Sequence, residues 1–329
     1  MPDQLLFGME VALNGLMAGV MYALVALGFV LIFKASGIFN YAQGVMALFA
    51  AMTLVGIQNG QVPFSYLINA IFGTDIQYFG WQAPALLAIL LTVVVMAGFA
   101  WLVNRYIFSH LVNQEPIILF MATIGLAYFL EGVADLMWGS EIKKLDVGLP
   151  QGINDWIDQT TFEAFGYGFF IDNLDIVATI IAALLVVGLV LFSQYTKQGR
   201  ALRAVADDHQ AALSVGISLN FIWVLVWSIA GFVALVAGIM WGAKSGVQFS
   251  LSLIALKALP VLMLGGFTSI PGAIVGGLII GVGEKLFEFL IGAPFLGGAT
   301  ENWFAYVLAL VFLVFRPQGL FGEKIIERV

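Results

Sequence analysis

Residues 11–33 read Val-Ala-Leu-Asn-Gly-Leu-Met-Ala-Gly-Val-Met-Tyr-Ala-Leu-Val-Ala-Leu-Gly-Phe-Val-Leu-Ile-Phe, a run without a single charge. A soluble core cannot absorb that much uninterrupted apolar length. A bilayer can, because a helix of about 20 apolar residues spans the hydrocarbon and satisfies its own backbone. Similar blocks follow at Val45–Ile57, Ala83–Val103, Ile117–Met137, Ile176–Phe192, Phe221–Met240, Leu251–Gly266, Ala273–Leu290 and Trp303–Phe315. Composition agrees: 61% of the 329 residues are hydrophobic and only 10% are charged, against roughly 25% charged in soluble domains. The 37 glycines suit membrane helices that pack through small contacts. The expectation is an all-α, polytopic transmembrane helical bundle forming one transmembrane domain over the whole chain. It has about eight or nine membrane segments, some shorter than a full span. Leu251–Leu290 reads either as two crossings or as a re-entrant, broken-helix hairpin around Gly265–Gly272.

Charge sets the orientation, since Lys and Arg concentrate in short cytoplasmic loops. Residues 194–218 carry Lys197, Arg200 and Arg203, and the tail carries Arg316, Lys324 and Arg328. Both are expected inside. Residues 139–175 carry Lys143 and Lys144 against Glu141, Asp146, Asp155, Asp158, Glu163, Asp172 and Asp175, and are expected outside as an irregular cap. Asp3 and Glu10, with no base near them, make a poor signal-peptide start.

Several chemistries are disfavoured. There is no cysteine, and the two histidines, His110 and His209, lie far apart, so neither a thiol nor a His-based metal centre is expected. No phosphate-binding Gly-x-x-x-x-Gly-Lys-Ser/Thr loop occurs, so the chain does not hydrolyse ATP itself. No cofactor and no nucleic-acid partner is implied.

Residues 199–217 form a polar, Ala-rich helical stretch between two apolar blocks. Within it Gln210-Ala-Ala-Leu-Ser-Val-Gly216 follows the acidic-Ala-Ala-three residues-Gly pattern of coupling helices, with Gln in place of the acid. Small Ala211 and Ala212 suit a helix seated in a partner's groove, and Gly216 suits a left-handed cap. An ordinary charged loop is the competing reading.

Four motifs in order resemble the branched-chain amino-acid permeases of ABC importers, of the LivH type. They are Tyr22-Ala-Leu-Val-Ala-Leu-Gly-Phe with Gly37-Ile-Phe-Asn-Tyr-Ala-Gln-Gly44, the Gly199–Gly216 region, Leu264-Gly-Gly-Phe-Thr-Ser-Ile-Pro-Gly-Ala-Ile-Val-Gly-Gly, and Arg316-Pro-Gln-Gly-Leu-Phe-Gly. Lys34-Ala-Ser before Gly37 and Gln43 in place of His depart from the pattern. The resemblance implies a bacterial inner-membrane subunit that forms the path for branched-chain amino acids or related small solutes. Its implied partners are a second homologous permease, cytoplasmic ATP-binding subunits and a periplasmic or extracellular solute-binding protein. ATPase coupling then falls to Arg200, Arg203, Asp207, Asp208, Gln210, Ala211, Ala212 and Gly216. The rival is a gradient-driven secondary transporter or channel, for which the intramembrane carboxylates and histidines are few.

Translocation-path candidates are Asn14, Asn40, Gln43, Gly44 and Lys257. For Asn40 the alternative is a helix cap, and for Asn14 a helix–helix hydrogen bond. Glu131 and Lys257 fall within apolar blocks and must face protein or water. Their partners are left open between each other, backbone and a neighbouring subunit. Trp81, Trp101, Trp138, Trp241 and Trp303 read as interfacial anchors.

Overall fold

The computed structural model describes residues 2–111, 114–207 and 209–322. Within them the chain is helical, with isolated bridges (Gln61 with Tyr78, Lys143 with Val247, Ile153 with Asp172) in place of strands. The helices are α1 (Pro2–Ser36), α2 (Gln43–Gln58), α3 (Ser65–Phe72), α4 (Ala85–Tyr106), α5 (Pro116–Trp138), α6 (Asp155–Phe165) and α7 (Asn173–Tyr195). They continue with α8 (Lys197–Asp207), α9 (His209–Ser214), α10 (Leu219–Ser245), α11 (Ile254–Gly265), α12 (Ile270–Phe287), α13 (Ala293–Leu296) and α14 (Glu301–Phe315).

Among the described residues five helices are long and apolar enough to cross a membrane, or up to six with the bent pair formed by residues 249–265 and 270–296 taken as one span. The expected eight or nine is therefore not reached by length. α2 and α14, with 16 and 15 residues, extend about 24 Å and about 22 Å at 1.5 Å per residue, short of the roughly 30 Å hydrocarbon core. The pair around Gly265–Gly272 is bent by 114°.

The chain divides into two units. The first comprises Met1–Val30, Leu149–Leu189 and Leu256–Val329. Here Gly15 and Gly19 of α1 meet Gly277 and Gly281 of α12. A Cβ added at Gly281 would lie 2.4 Å from the Gly15 carbonyl oxygen and 2.5 Å from the Gly19 Cα, so the two backbones touch. In lipid no hydrophobic force drives helices together, and this close van der Waals approach supplies the attraction.

The break between α11 and α12 is closed the same way. A Cβ on Gly265 would sit 2.1 Å from the Gly272 carbonyl oxygen. Ser269 caps α12 by accepting from the Gly272 N–H at 3.0 Å, and Leu320 and Phe321 donate their N–H groups to the carbonyls of Leu264 and Gly265. Pro260 inside α11 has no N–H, which leaves the Leu256 carbonyl without its helical donor. The Tyr306 hydroxyl of α14 donates to that carbonyl at 2.7 Å. At the start of α14 the Glu288 carboxylate accepts from the N–H groups of Ala299 (2.9 Å) and Thr300 (2.7 Å), an anion at a helix N-terminus.

Residues 149–175, the part of the expected irregular cap that lies in this unit, carry regular structure. They contain α6, whose N-cap Asn154 accepts from the Ile157 N–H and whose C-cap Gly166 is left-handed. Leu6, Phe169 and Ile171 form a small core beneath it, with Ile157 packed against them. Glu10, which sequence placed ahead of the first apolar block, lies within α1 and accepts from the Tyr167 hydroxyl at 3.0 Å.

The second unit comprises Leu31–Gly148 and Val190–Ala255. α2 is its axis: every residue from Gln43 to Gly56 is buried, as a helix apolar all round requires. α4, α5 and α10 pack against it. Gly238 of α10 sits where a Cβ would come within 2.5 Å of the Ala47 carbonyl oxygen. Trp138, read from sequence as an interfacial anchor, is instead buried and donates from Nε1 to Thr53 Oγ1 at 3.2 Å. Beyond the end of α5, Lys143 donates to Gln61 Oε1 and the Trp138 carbonyl. Burial pushes its ammonium below the ordinary lysine range, with Glu141 opposing.

If the Gly15/Gly19–Gly277/Gly281 contact holds the first unit, Gly281→Leu should lower stability by about 1–3 kcal/mol, the usual cost of overpacking. Gly283→Leu, where a Cβ would meet only ring and methyl carbons at 3.4 Å or more, should cost less. Thermal unfolding of both variants in nanodiscs checks this; equal stability would show that the helices do not depend on that contact.

Candidate functional site

The structure sets the sequence-selected residues in three separate places. The first is the segment between α1 and α2. Gly37 has a φ of +69°, a conformation that favours glycine. The helix-start position of α2 is occupied by Ala42, not Asn40. Asn40 instead accepts from the Ala42 N–H at 3.2 Å, an Asx turn. Its amide donates to Gln43 Oε1 at 3.2 Å, and the Gln43 amide donates to the Ala230 carbonyl of α10 at 3.3 Å. Thr123 of α5 accepts from the Tyr41 N–H and donates to the Phe39 carbonyl. Asn40 and Gln43 are buried. Gly44 lies so close to α10's following turn that a Cβ would fall 2.0 Å from the Ser252 carbonyl oxygen. The polar groups at this break are thus bonded to protein, as irregular backbone in an apolar phase demands.

The second place is residues 194–218. Thr196 stands just before α8, and its hydroxyl accepts from the Gly199 N–H at 2.9 Å. Gly199 faces the end of α7 so closely that a Cβ would sit 2.2 Å from the Phe192 carbonyl oxygen. Arg200 and Arg203 donate to the carbonyls of Tyr195 (3.3 Å) and Gln194 (3.4 Å). Their charges therefore complete the C-terminal turn of α7, where cations are favoured. Leu202 and Val205 are buried, and α8 packs on α10.

α9 ends in a Schellman motif. The Ile217 N–H reaches the Ala212 carbonyl at 3.0 Å, and the Gly216 N–H reaches that of Leu213 at 3.0 Å. Gly216 has a φ of +84°, the left-handed cap its position in the sequence suggests. Ala212, expected on the surface, is only 2% exposed, and its carbonyl anchors that motif. The outward face is Gln210, Ala211, Leu213 (53% exposed) and Val215 (74%). Asp207 is exposed, and Asp208 lies outside the described residues.

The third place surrounds Lys257. Its partner is neither Glu131 nor backbone but Glu284 of α12, Nζ to Oε2 at 3.1 Å. Glu284 is fully buried, while Lys257 keeps 24% of its side chain exposed. The Tyr22 hydroxyl of α1 donates to the other carboxylate oxygen at 2.6 Å. Lys257 Nζ also lies 5.6 Å from the centre of the Tyr22 ring, within cation–π range. Three helices of one unit meet on this cluster. Asn14, half-buried about two turns before Tyr22 on α1, takes no part in it. Glu284 was missed in the sequence reading, although the signal was present: it lies inside the apolar block Ala273–Leu290, and the argument used for Lys257 applies to it equally.

Removing one member of a buried pair leaves the other uncompensated, at a cost of about 3–5 kcal/mol, whereas replacing both is far milder. Lys257→Met should therefore destabilise strongly, and adding Glu284→Gln should restore about half of the loss. Thermal unfolding of the single and double variants decides; a double variant no better than the single one would contradict the pairing.

Comparison with known proteins bears on the whole chain. A family described as "Branched-chain amino acid transport system / permease component" matches residues 11–316. The high-affinity branched-chain amino acid transport system permease protein LivH of Escherichia coli (strain K12) is 28% identical, with all of both chains aligned. The corresponding protein BraD of Pseudomonas aeruginosa is 29% identical over 96% of each. A probable LivH permease of Methanocaldococcus jannaschii is 26% identical over 91% of this chain and 88% of its own. With a match that runs through α1 to the end of α14 and contains all three places just described, the chain belongs to the branched-chain amino acid transport permease family.

Proposed function

We propose that this chain is the membrane-spanning subunit of an ATP-driven importer, lodged in the bacterial inner membrane, that carries branched-chain amino acids or a closely related small solute. ATP is hydrolysed in separate cytoplasmic subunits, because the sequence lacks a phosphate-binding loop. A second, homologous permease completes the membrane part, and a soluble binding protein delivers the solute from outside.

The observation that carries this reading is α9. It is a short helix with a fixed end, since the Schellman motif at Gly216 and the inward-turned Ala212 set its position. α8, held to the end of α7 by Thr196 and by its own Arg200 and Arg203, sets its direction. Leu213 and Val215 nonetheless stand exposed in a segment rich in charge. Apolar side chains on a rigid projection fit a groove in a soluble partner, where their burial would transmit motion between subunits. In this reading Arg200 and Arg203 orient the segment, and Gln210, Ala211, Leu213 and Val215 touch the partner.

Leu213→Asp and Val215→Asp should leave insertion and thermal stability unchanged, since both side chains are exposed. Solute-stimulated ATP hydrolysis by the reconstituted importer should fall by about ten-fold or more, because a carboxylate would be desolvated at the contact. Hydrolysis at the original rate in both variants would remove α9 from the coupling role.

A further inference from the structure

Between α2 and α4 the chain folds into a flap, residues 61–84, that takes no part in the three places described above. Its base is stitched shut. The Val62 N–H donates to the Gln77 carbonyl at 2.9 Å, the Phe79 N–H to that of Gly60 at 2.8 Å, and the Ala83 N–H to that of Gln58 at 3.0 Å. The flap is also fastened to the end of α5. The Phe64 N–H donates to the Met137 carbonyl at 3.1 Å, and the Gln61 side-chain amide to the Trp138 carbonyl at 3.0 Å. Phe64 has a φ of +59°, costly for an aromatic residue, and the bond to Met137 holds it there. α3 therefore leaves Phe64 in a fixed direction.

The polarity of α3 is inverted for a helix that faces water. Ser65 is buried and Asn69 half-buried. Asn69 Oδ1 accepts from the Thr74 hydroxyl and the Ile76 N–H, and its amide donates to the Ile76 carbonyl, so its polar groups are used within the flap. The outward residues are Tyr66, Leu67, Ala70, Ile71 (65% exposed) and Phe72 (73%). A helix on a soluble protein turns its apolar stripe to the core; this one turns it away. Ile76, Tyr78, Phe79 and Trp81 extend the exposed apolar surface along the returning limb. Asp75 is the one charge in residues 61–84.

The surroundings indicate what covers this surface. The flap runs directly into α4, a candidate span with little of its apolar length buried, on which Leu86, Leu90 and Val94 form an exposed stripe. Tyr78 and Trp81, just ahead of α4, carry the amphipathic rings that settle at headgroup level. On the other edge Tyr66 and Leu67 border a groove that also carries Asp135 and Glu141, so water begins there. With 8 residues α3 is too short to cross, and both limbs of the flap return to the same end of α2. We propose that residues 66–81 lie in the membrane–water interface on the external side as a half-inserted anchor. Ile71 and Phe72 enter the lipid, and Tyr66, Tyr78 and Trp81 sit among the headgroups. α2 stops short of the full hydrocarbon depth, and the flap closes over its end, bonding the Gly56 carbonyl through the Gln61 N–H and that of Gln58 through Ala83. The bilayer thereby gains a hold on the ends of α2 and α5, whatever drives transport.

The test places single cysteines in a chain that has none. Ile71→Cys and Phe72→Cys probe α3, Leu90→Cys on α4 is the lipid-facing reference, and Gln159→Cys on exposed α6 is the water-facing one. Each full-length variant is spin-labelled and reconstituted in liposomes, alone and within the importer assembled with its partners. Collisions with oxygen, which concentrates in lipid, are compared with those of a water-soluble nickel chelate. Ile71→Cys and Phe72→Cys should follow Leu90→Cys, with oxygen collisions several-fold the more frequent, and Gln159→Cys should show the reverse. Nickel collisions at both α3 positions equal to those of Gln159→Cys would set α3 in water and overturn the proposal. Shielding of both labels from both reagents, in either preparation, would also overturn it, by assigning the face to a protein partner.

Discussion

Within the bilayer, every polar backbone group that the helices of this chain leave unpaired must find a partner inside the protein, because an apolar surrounding offers none. That constraint explains features that look unrelated. Pro260 removes one helical donor from α11, and Tyr306 replaces it at the Leu256 carbonyl. The turn between α11 and α12 closes by contact of two glycine backbones, and the chain near Leu320 returns to bond the carbonyls exposed there. The turn between α1 and α2 is knitted by Asn40, Gln43 and Thr123. Gly37 with a φ of +69° and Gly266 with +103° open the two turns, and Gly44 and Gly272 press against backbone at their ends.

The same constraint governs charge. Glu284 is fully buried and yet has a lysine on one oxygen and a phenol on the other. An unpaired carboxylate there would cost several kcal/mol, and a pair with both oxygens bonded reduces that cost. Because α1, α11 and α12 each contribute one member, the cluster also specifies which helix faces meet. It complements the glycine contact between α1 and α12, which lets the backbones approach but places little restriction on rotation.

Much of this was legible in the sequence, and for stated physical reasons. The uncharged run at 11–33 could only be a membrane helix, and Gly216 could be recognised as a left-handed cap from its position after Ala211-Ala-Leu-Ser-Val. Asn40, Gln43 and Lys257 stood out because polar groups at membrane depth need partners. The distant partners were not legible: Ala230 lies 187 residues from Gln43, Thr123 lies 82 from Tyr41 and Glu284 lies 27 from Lys257, and no local pattern links them. The inward turn of Ala212 was equally hidden, since a six-residue helix has no periodicity from which to read a face. Hydropathy also overlooked α3, whose eight residues between Gln58 and Ala85 are too few to register as a block.

The central claim is that this chain moves solute by using ATP hydrolysed elsewhere, through a contact at α9. Uptake by proteoliposomes tests it most directly, comparing the purified chain alone with the complex co-purified from native membranes. The account predicts uptake of a branched-chain amino acid or related small solute only by the complex with its binding protein, and only with ATP inside the energised compartment. Uptake by the chain alone, driven by a proton or sodium gradient without ATP, would contradict it.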